Sequence, residues 1–420
     1  MLKLNCYGCL FFVVILIFFS CEKESQELQH IKGRQVLVYM IADNNLDYFA
    51  INDINEMEQG VANSSDKQGE VLVFIDRGEN GSPSHPYLMR IVSDTTQQVV
   101  SKIIRTYPEQ NTADAQTLSQ VLKDIDELTD VPYQSKGLVL WSHGNAWLPP
   151  EISLYSDRDK ILDTTAVKKC RLKSFGLDED INNSGGYDEM DIIEMAEVLK
   201  QYKFDFILFD ACFMSSIEVL YELKDVCDYI ISSPTEILSA GFPYERIIPD
   251  LLLNEFNVKS VAKKIFDFYS EQKGILSSSS VSVVVTQRLQ KLAFFFKNNL
   301  SKILTDGNIT NKDDPYFKTN LQQYDRLKSE FLFDMYDFVE RVCISKKETT
   351  LFNNFKNIWR NTVIYSVHTP YILGTLSLKN CHGVSMYLPQ DYETRININT
   401  YYKQFKWYEE SQSESIFSSF

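Results

Sequence analysis

Glycine and proline are scarce in this 420-residue chain, at 16 and 12 residues, which excludes collagen-like and low-complexity architectures. Clusters of basic residues are scarce too. Lys and Arg total 42 against 57 Asp and Glu, for a net charge of −15, and no Lys/Arg run builds the cationic face that a phosphate backbone requires. Nucleic acid is therefore not an expected partner. The chain has no Gly-x-x-x-x-Gly-Lys phosphate loop, no Gly-x-Gly-x-x-Gly turn and no His-Glu-x-x-His pair, so nucleotide-binding and zincin chemistry lack their usual supports. Histidine is limited to five positions, which leaves few imidazoles for acid–base work. The 44% hydrophobic content is enough for a packed core and excludes wholesale disorder. The length allows two or three domains, or one large domain with additions.

The N-terminus has a different character. Leu10 to Phe19 is unbroken apolar sequence, preceded by Lys3 and followed by Ser20-Cys21-Glu22-Lys23-Glu24. The run is too short to cross a hydrocarbon core of about 30 Å as a helix, and it matches the apolar region of a secretion signal. Phe18-Phe19-Ser20-Cys21 resembles a bacterial lipobox with Cys21 as the lipidated residue, and the acidic residues after it resemble surface-export signals of bacterial lipoproteins. An uncleaved anchor is the alternative. The expectation is a signal peptide over residues 1–20, a lipid-anchored tether over 21–34, and a place in the bacterial cell envelope. That place is an outer-membrane lipoprotein facing the periplasm or the cell surface. Cys6 and Cys9 fall inside the leader, which argues against a functional pair there. Cys170, Cys212, Cys227, Cys343 and Cys381 are scattered through the mature part, with no disulfide framework in their spacing.

From residue 35 onward, continuous apolar runs alternate with amphipathic ones. Gln35 to Ala42, Glu70 to Ile75, Gly137 to Trp141, Phe204 to Phe209, Asp228 to Ser232 and Val281 to Val285 read as buried strands, and Tyr87 to Val92 as an outer one. Helical spacing is expected over Asp114 to Leu128 (with Asp114 as N-cap), Asp188 to Tyr202, Met214 to Lys224, Val258 to Ser270 and Leu289 to Leu304. This is the pattern of an α/β protein, a three-layer αβα sandwich around a mainly parallel sheet. Residues 35–305 form the expected core. Residues 306–420 read as a C-terminal helical region that returns a strand to it: Arg326 to Trp359 is helical, Thr362 to Val367 and Gly383 to Leu388 are strand-like, and Tyr401 to Tyr408 is an aromatic helix.

Ligands of parallel sheets bind at the carboxyl ends of the strands. Two such ends carry reactive residues, Trp141-Ser142-His143-Gly144 and Asp210-Ala211-Cys212. A cysteine nucleophile needs a proton acceptor and donors for the developing oxyanion. His143 fits the first role, and the backbone N–H groups of Gly144 and Cys212 fit the second. Spacing alone leaves the bland reading open, because a cysteine after a buried strand is commonly an inert core residue and a His-Gly pair commonly a turn.

The residues also carry a family resemblance. His143-Gly144, Asp210-Ala211-Cys212, Tyr39-Met-Ile-Ala-Asp43-Asn-Asn-Leu46 with Asp53 to Met57, Phe213 to Leu223, and Gly383-Val-Ser-Met-Tyr-Leu-Pro389 together resemble the clostripain-like cysteine peptidases. That family belongs to the clan of caspases, gingipains and legumains. The likeness covers roughly residues 35 to 408. It implies a caspase-like fold and an endopeptidase that works through an acyl-enzyme, with Cys212 as nucleophile and His143 as acid–base partner. It also implies protein or peptide substrates, cleavage after Arg or Lys, and self-cleavage between the catalytic residues. Asp210 matches the family's acid two before the nucleophile. A second pocket acid is expected where Ala240 stands, and Glu236 is the candidate substitute.

Residues 145–187 read as a loop rich in Arg and Lys, either a processing loop or a solvated insertion. Within it Asp178, Asp180, Asn182 and Glu189 are weak candidates for a calcium loop of EF-hand spacing, although Gly is missing at its sixth position. Otherwise no cofactor is required. Two other function classes remain: a catalytically silent peptide-binding or scaffold lipoprotein, and a transpeptidase on the same dyad.

Overall fold

The computed structural model describes residues 32–65, 69–78, 83–129, 133–148, 175–179, 187–305, 320–326, 331–389 and 396–414. The proposed signal, Cys21, the tether up to residue 31, Asp180, Asn182 and most of the loop after Leu148 lie outside the described residues, and the last three tether positions, 32–34, already belong to the first strand. Among the described residues no helix is long and apolar enough to cross a membrane.

Five strands run parallel: β1 (Lys32–Ile41), β2 (Glu70–Asp76), β5 (Tyr133–Trp141), β8 (Phe204–Asp210) and β9 (Cys227–Ser232). Two antiparallel strands extend the sheet past β2, namely β3 (Tyr87–Arg90) and β4 (Lys102–Thr106). On the other side β10 (Ser280–Val285) and β12 (Val363–His368) do the same, giving nine strands in the order β12-β10-β9-β8-β5-β1-β2-β3-β4. The parallel strands are apolar on both faces because both faces are covered. Along β1, Val36, Val38 and Met40 point into one core and Leu37, Tyr39 and Ile41 into the other.

The first core is closed by α1 (Asp47–Asn63), α5 (Tyr244–Leu252) and α6 (Val258–Ser270) through Ile54, Met57, Ile247, Ile248, Val261 and Ile265. The second is closed by α2 (Ala115–Glu127), α3 (Ile192–Leu199), α4 (Ile217–Glu222) and α7 (Leu289–Phe295). Residues of the C-terminal region, among them Phe338, Phe355, Tyr387, Tyr402 and Trp407, pack into that same second core. Three layers result, the expected α/β sandwich, and Val363–His368 is the C-terminal strand that joins the sheet.

Local chemistry explains most boundaries. Asp114 caps α2 by accepting from Gln116 N, as expected. Four expectations need correction. The helix placed over Asp188 to Tyr202 is shorter: Tyr187–Met190 is a strand (β7) paired with β6 (Phe175–Glu179), and Asp191 caps α3 through Ile193 N and Glu194 N. The helix placed over Arg326 to Trp359 is divided into Met335–Ser345 and Thr349–Thr362, preceded by the short strand Phe333–Asp334. Of the expected strand Gly383 to Leu388 only Ser385–Met386 pairs, with Phe333–Asp334 rather than with the main sheet. The aromatic C-terminal helix is likewise two helices, Ile396–Tyr402 and Lys406–Glu410.

The chain adds β2 on one side of β1 and β5, β8 and β9 on the other. The sheet therefore switches direction at β1 and β5, and in an open α/β sheet that switch opens a crevice at the carboxyl ends of the strands.

Candidate active site

Register sets the height of the two reactive residues. Trp141 at the end of β5 pairs with Asp210 at the end of β8. His143 and Cys212 each lie two residues beyond their member of that pair, so both emerge at the same rim. Ser142 N donates to Asp210 O at 3.3 Å, and Ser142 Oγ donates to Ile41 O at 2.7 Å. The two reactive strand ends are thus tied to each other and to β1.

His143 and Cys212 line one groove of about 250 Å3 together with Leu46, Asp210, Glu236, Ile237, Gly241 and Arg326. His143 is half-buried, and burial pulls its imidazole down to about 4. The ring is therefore neutral near pH 7 and available as a base. Its Nε2 lies 2.7 Å from Asn45 Oδ1. A neutral imidazole meets an amide oxygen as a donor, so the proton sits on Nε2 and Nδ1 is the basic nitrogen. Asn45 fixes tautomer and ring plane alike.

Cys212 is buried and follows β8 directly. Ile237 N donates to its sulfur at 3.3 Å, and the thiol faces Ile237 O at 3.8 Å. Phe213 adopts a left-handed backbone conformation at φ 64°, and its N–H donates to Thr235 O at 3.0 Å. That turn, unusual for an aromatic residue, separates the sulfur-bearing residue from α4. Gly144 must stay without a side chain. A Cβ there would lie 2.5 Å from Cys212 O and 3.0 Å from Ala211 Cβ, so the end of β5 packs directly on the backbone of residues 211–212.

Asp210 lies at the base of the groove and is 2% exposed. Its Oδ2 accepts from Phe242 N at 3.0 Å and from Tyr244 Oη at 2.8 Å. Its Oδ1 is buried with no hydrogen-bond partner. Burial pushes this carboxyl up to about 7 against the two hydrogen bonds that lower it. An unsatisfied carboxylate oxygen in such a place is costly unless something arrives to meet it.

The remaining expected residues are placed differently. Glu236 lines the groove, but Arg326 grips both its oxygens, at 2.5 Å through Nε and 2.9 Å through a terminal nitrogen. Its charge is already matched. Ala240 is exposed and lies outside the groove wall. Asp178 accepts from Thr112 N at 2.5 Å and from Thr112 Oγ1 at 3.0 Å, and burial, with the neighbouring Asp76, pushes it up to about 7. Strands β6 and β7 flank that loop instead of the helices an EF-hand needs. Among the described residues no group of three or more His, Cys, Asp or Glu is arranged around a metal position. Sequence reasoning missed Asn45, Asp53 and Arg326. Asn45 and Asp53 carried a signal, since both lie in the segments Tyr39 to Leu46 and Asp53 to Met57 that carry the family resemblance; Arg326 carried none.

The sequence pattern of the clostripain peptidase family matches residues 38–420. The chain belongs to the clostripain family. Clostripain of Hathewaya histolytica is 24% identical over 231 residues, 50% of this chain and 41% of clostripain's own length. Among solved structures, a secreted cysteine protease from Bacteroides thetaiotaomicron, in complex with an irreversible peptide inhibitor, shares 28% identity. It has a TM-score of 0.72 over 91% of this chain and 99% of its own. An inactive zymogen from Parabacteroides distasonis, of the same protease family, shares 29% identity at a TM-score of 0.69 over 90% and 97%. The clostripain fold therefore extends through the C-terminal region as well as the sheet.

Proposed function

We propose that this clostripain-family protein is an exported cysteine endopeptidase that cuts peptide chains after Arg or Lys. The observation that carries the reading is the unmatched Asp210 Oδ1 at the base of a groove whose wall holds both His143 and Cys212. A guanidinium or ammonium entering that groove supplies the missing donor and a compensating charge at once.

The chemistry follows from the resting protonation states. Neutral His143, its Nε2 held by Asn45, takes the Cys212 thiol proton on Nδ1 as the sulfur attacks the carbonyl carbon. The N–H groups of Gly144 and Cys212 receive the oxyanion. The imidazolium then gives its proton to the leaving amine, and water, deprotonated by the same ring, releases the acyl group from sulfur. The peptide inhibitor bound by the Bacteroides thetaiotaomicron protease supports a peptide substrate for the related groove here. The apolar leader, with Cys21 after it, supports export and lipid anchoring at the outer membrane.

The test uses matched fluorogenic peptides that differ only before the cut. Arg and Lys peptides are expected to be turned over at least a hundred-fold better than neutral ones, with all turnover and thiol labelling lost in Cys212→Ala. Equal or better turnover of the neutral peptides rejects the basic preference. Intact activity in Cys212→Ala rejects the dyad. Product analysis with an added amine separates hydrolysis from acyl transfer.

A further inference from the structure

Behind Asp210 lies a second carboxylate. Asp53, on α1, is 2% exposed and accepts from Trp141 Nε1 at 2.7 Å. One point in space, where a Gly241 Cβ would sit, is 2.7 Å from Asp53 Oδ2 and 3.0 Å from Asp210 Oδ2. Gly241, at φ 65°, is part of the groove wall. The two carboxylates therefore converge on the space left by the missing Gly241 side chain, and of the two Asp210 lines the groove. Among the described residues no Lys, Arg or His forms an ion pair with either. The groups around them are Trp141 on β5, Glu56 on α1, Tyr244 with Glu245 and Arg246 on α5, and Tyr269 on α6, whose hydroxyl donates to Gly241 O. Glu56 is bound by Tyr244 N at 2.9 Å. The neighbours within reach are thus neutral or acidic, apart from Arg246, which faces Glu56 and is exposed.

We propose that Asp53 and Asp210 act as one unit that keeps a proton while the groove is empty and surrenders it to solvent when a cationic side chain binds. Asp53 is then a positioning residue that sets substrate selectivity through Asp210 and replaces the acid absent at Ala240. The proposal rests on the basic preference argued above. Two like charges side by side in a dry place cannot both ionise without a cation, so the pair titrates jointly. Burial raises both groups, and the charge of Asp210 raises Asp53 further. A positive charge brought to Asp210 inverts that balance and releases the proton. The consequence is selectivity that depends on pH: the advantage of Arg and Lys over neutral residues grows as the surroundings become more alkaline.

The experiment is the ratio of kcat/KM for an Arg peptide to that for its neutral analogue, followed from about pH 5 to pH 9. Taking the ratio cancels the titration of His143 and Cys212. In the wild type it is expected to climb with pH by up to ten-fold per unit through the titration of the pair. In Asp53→Asn, whose amide oxygen still accepts from Trp141, the rise is expected at least one pH unit lower, because Asp210 then ionises alone. Coincident midpoints with the preference intact overturn this proposal and leave the basic-residue reading standing. Absence of any preference overturns both. If Asp53→Asn fails to fold, the wild type decides alone. Binding of a reversible Arg peptide aldehyde near pH 7, measured calorimetrically in buffers of different ionisation heat, is expected to release a proton that the neutral analogue does not. Zero release overturns the proposal.

Discussion

Gly144→Ala tests whether the catalytic rim is built as described. The added methyl carbon would lie 2.5 Å from Cys212 O, 2.9 Å from Met214 Sδ and 3.0 Å from Ala211 Cβ. Met214 can swing away, but a backbone carbonyl and a Cβ cannot. Restoring ordinary contact therefore moves the end of β5 away from residues 211–212 by roughly 1 Å, and a shift of that size in a reacting group costs about a hundred-fold in rate. At 1.36 kcal/mol per factor of ten this is about 2.7 kcal/mol of transition-state stabilisation. Overpacking adds about 1–3 kcal/mol of lost fold stability. The assay is kcat/KM on a fluorogenic Arg peptide beside a thermal melt of the same sample. The added substitution Met214→Ala relieves only the flexible contact, so it is expected to restore little. Activity within three-fold of the wild type with an unchanged melting temperature would refute the close packing of the two strand ends.

Three further outcomes are expected. Because burial holds His143 down to about 4, its base form is lost only as pH falls through that value, so the acid limb of kcat/KM for a neutral peptide should lie near pH 4 rather than 6.5; a limb above pH 6 contradicts this. For His382, burial lowers the pKa but the Asp334 carboxylate, 3.0 Å away, outweighs it and the net shift is upward. The stabilisation is therefore fully present below the ordinary histidine value and is lost as pH rises through the folded one. The wild type should out-melt His382→Gln by more at pH 5.5 than at pH 8.5, and an equal gap at both would count against it. Arg34, 2% exposed, pairs with Asp205 at 2.6 Å and donates to Leu251 O and Leu253 O. Arg34→Ala strands those carbonyls, so chemical denaturation should show a loss of about 2–4 kcal/mol, and a loss under 1 kcal/mol would be too small for this account.

Buried parallel strands were the most legible part of the chain, because a sheet covered on both faces leaves runs such as Val36 to Ile41 and Phe206 to Phe209 with no polar interruption. Strand β4, Lys102–Thr106, was invisible for the opposite reason: it is a sheet edge with exposed Lys102 and Ile103, and no pattern distinguishes it from a loop. The β6–β7 hairpin escaped because Asp188 and Asp191 are equally good caps by type. Only the pairing of Phe175 with Met190 decides between them. In the groove, His143, Gly144, Asp210 and Cys212 could be read because each sits at a fixed offset from a strand end. Asn45 lies on a turn after β1, Asp53 inside a helix and Arg326 in the C-terminal region. Their relation to the groove exists only through tertiary contacts: Asn45 with His143, Asp53 with Trp141, and Arg326 with Glu236 in the loop after β9.

That packing also explains why the groove can hold acids at all. A carboxylate at the end of a buried strand weakens a fold unless it is met by donors, and Asp210 receives two of them, from residues 242 and 244 that begin α5. Asp53 receives one, from the indole of the residue that pairs with Asp210 across the sheet. The helices of one layer thus carry Asp53 and the donors that meet Asp210, while Asp210, His143 and Cys212 stand at strand ends, and α1 and α5 lie side by side. A Cβ on Gly60 of α1 would lie 2.7 Å from Ile248 Cβ of α5. Widening that contact, as in Gly60→Ala, would separate Asp53 from Asp210 without touching His143 or Cys212. The expected signature is a weaker preference for Arg over neutral peptides while a thiol reagent still labels Cys212 at the wild-type rate. Equal loss of labelling and of preference would mean that the helix carrying Asp53 cannot be moved without disturbing the strand ends that hold His143 and Cys212.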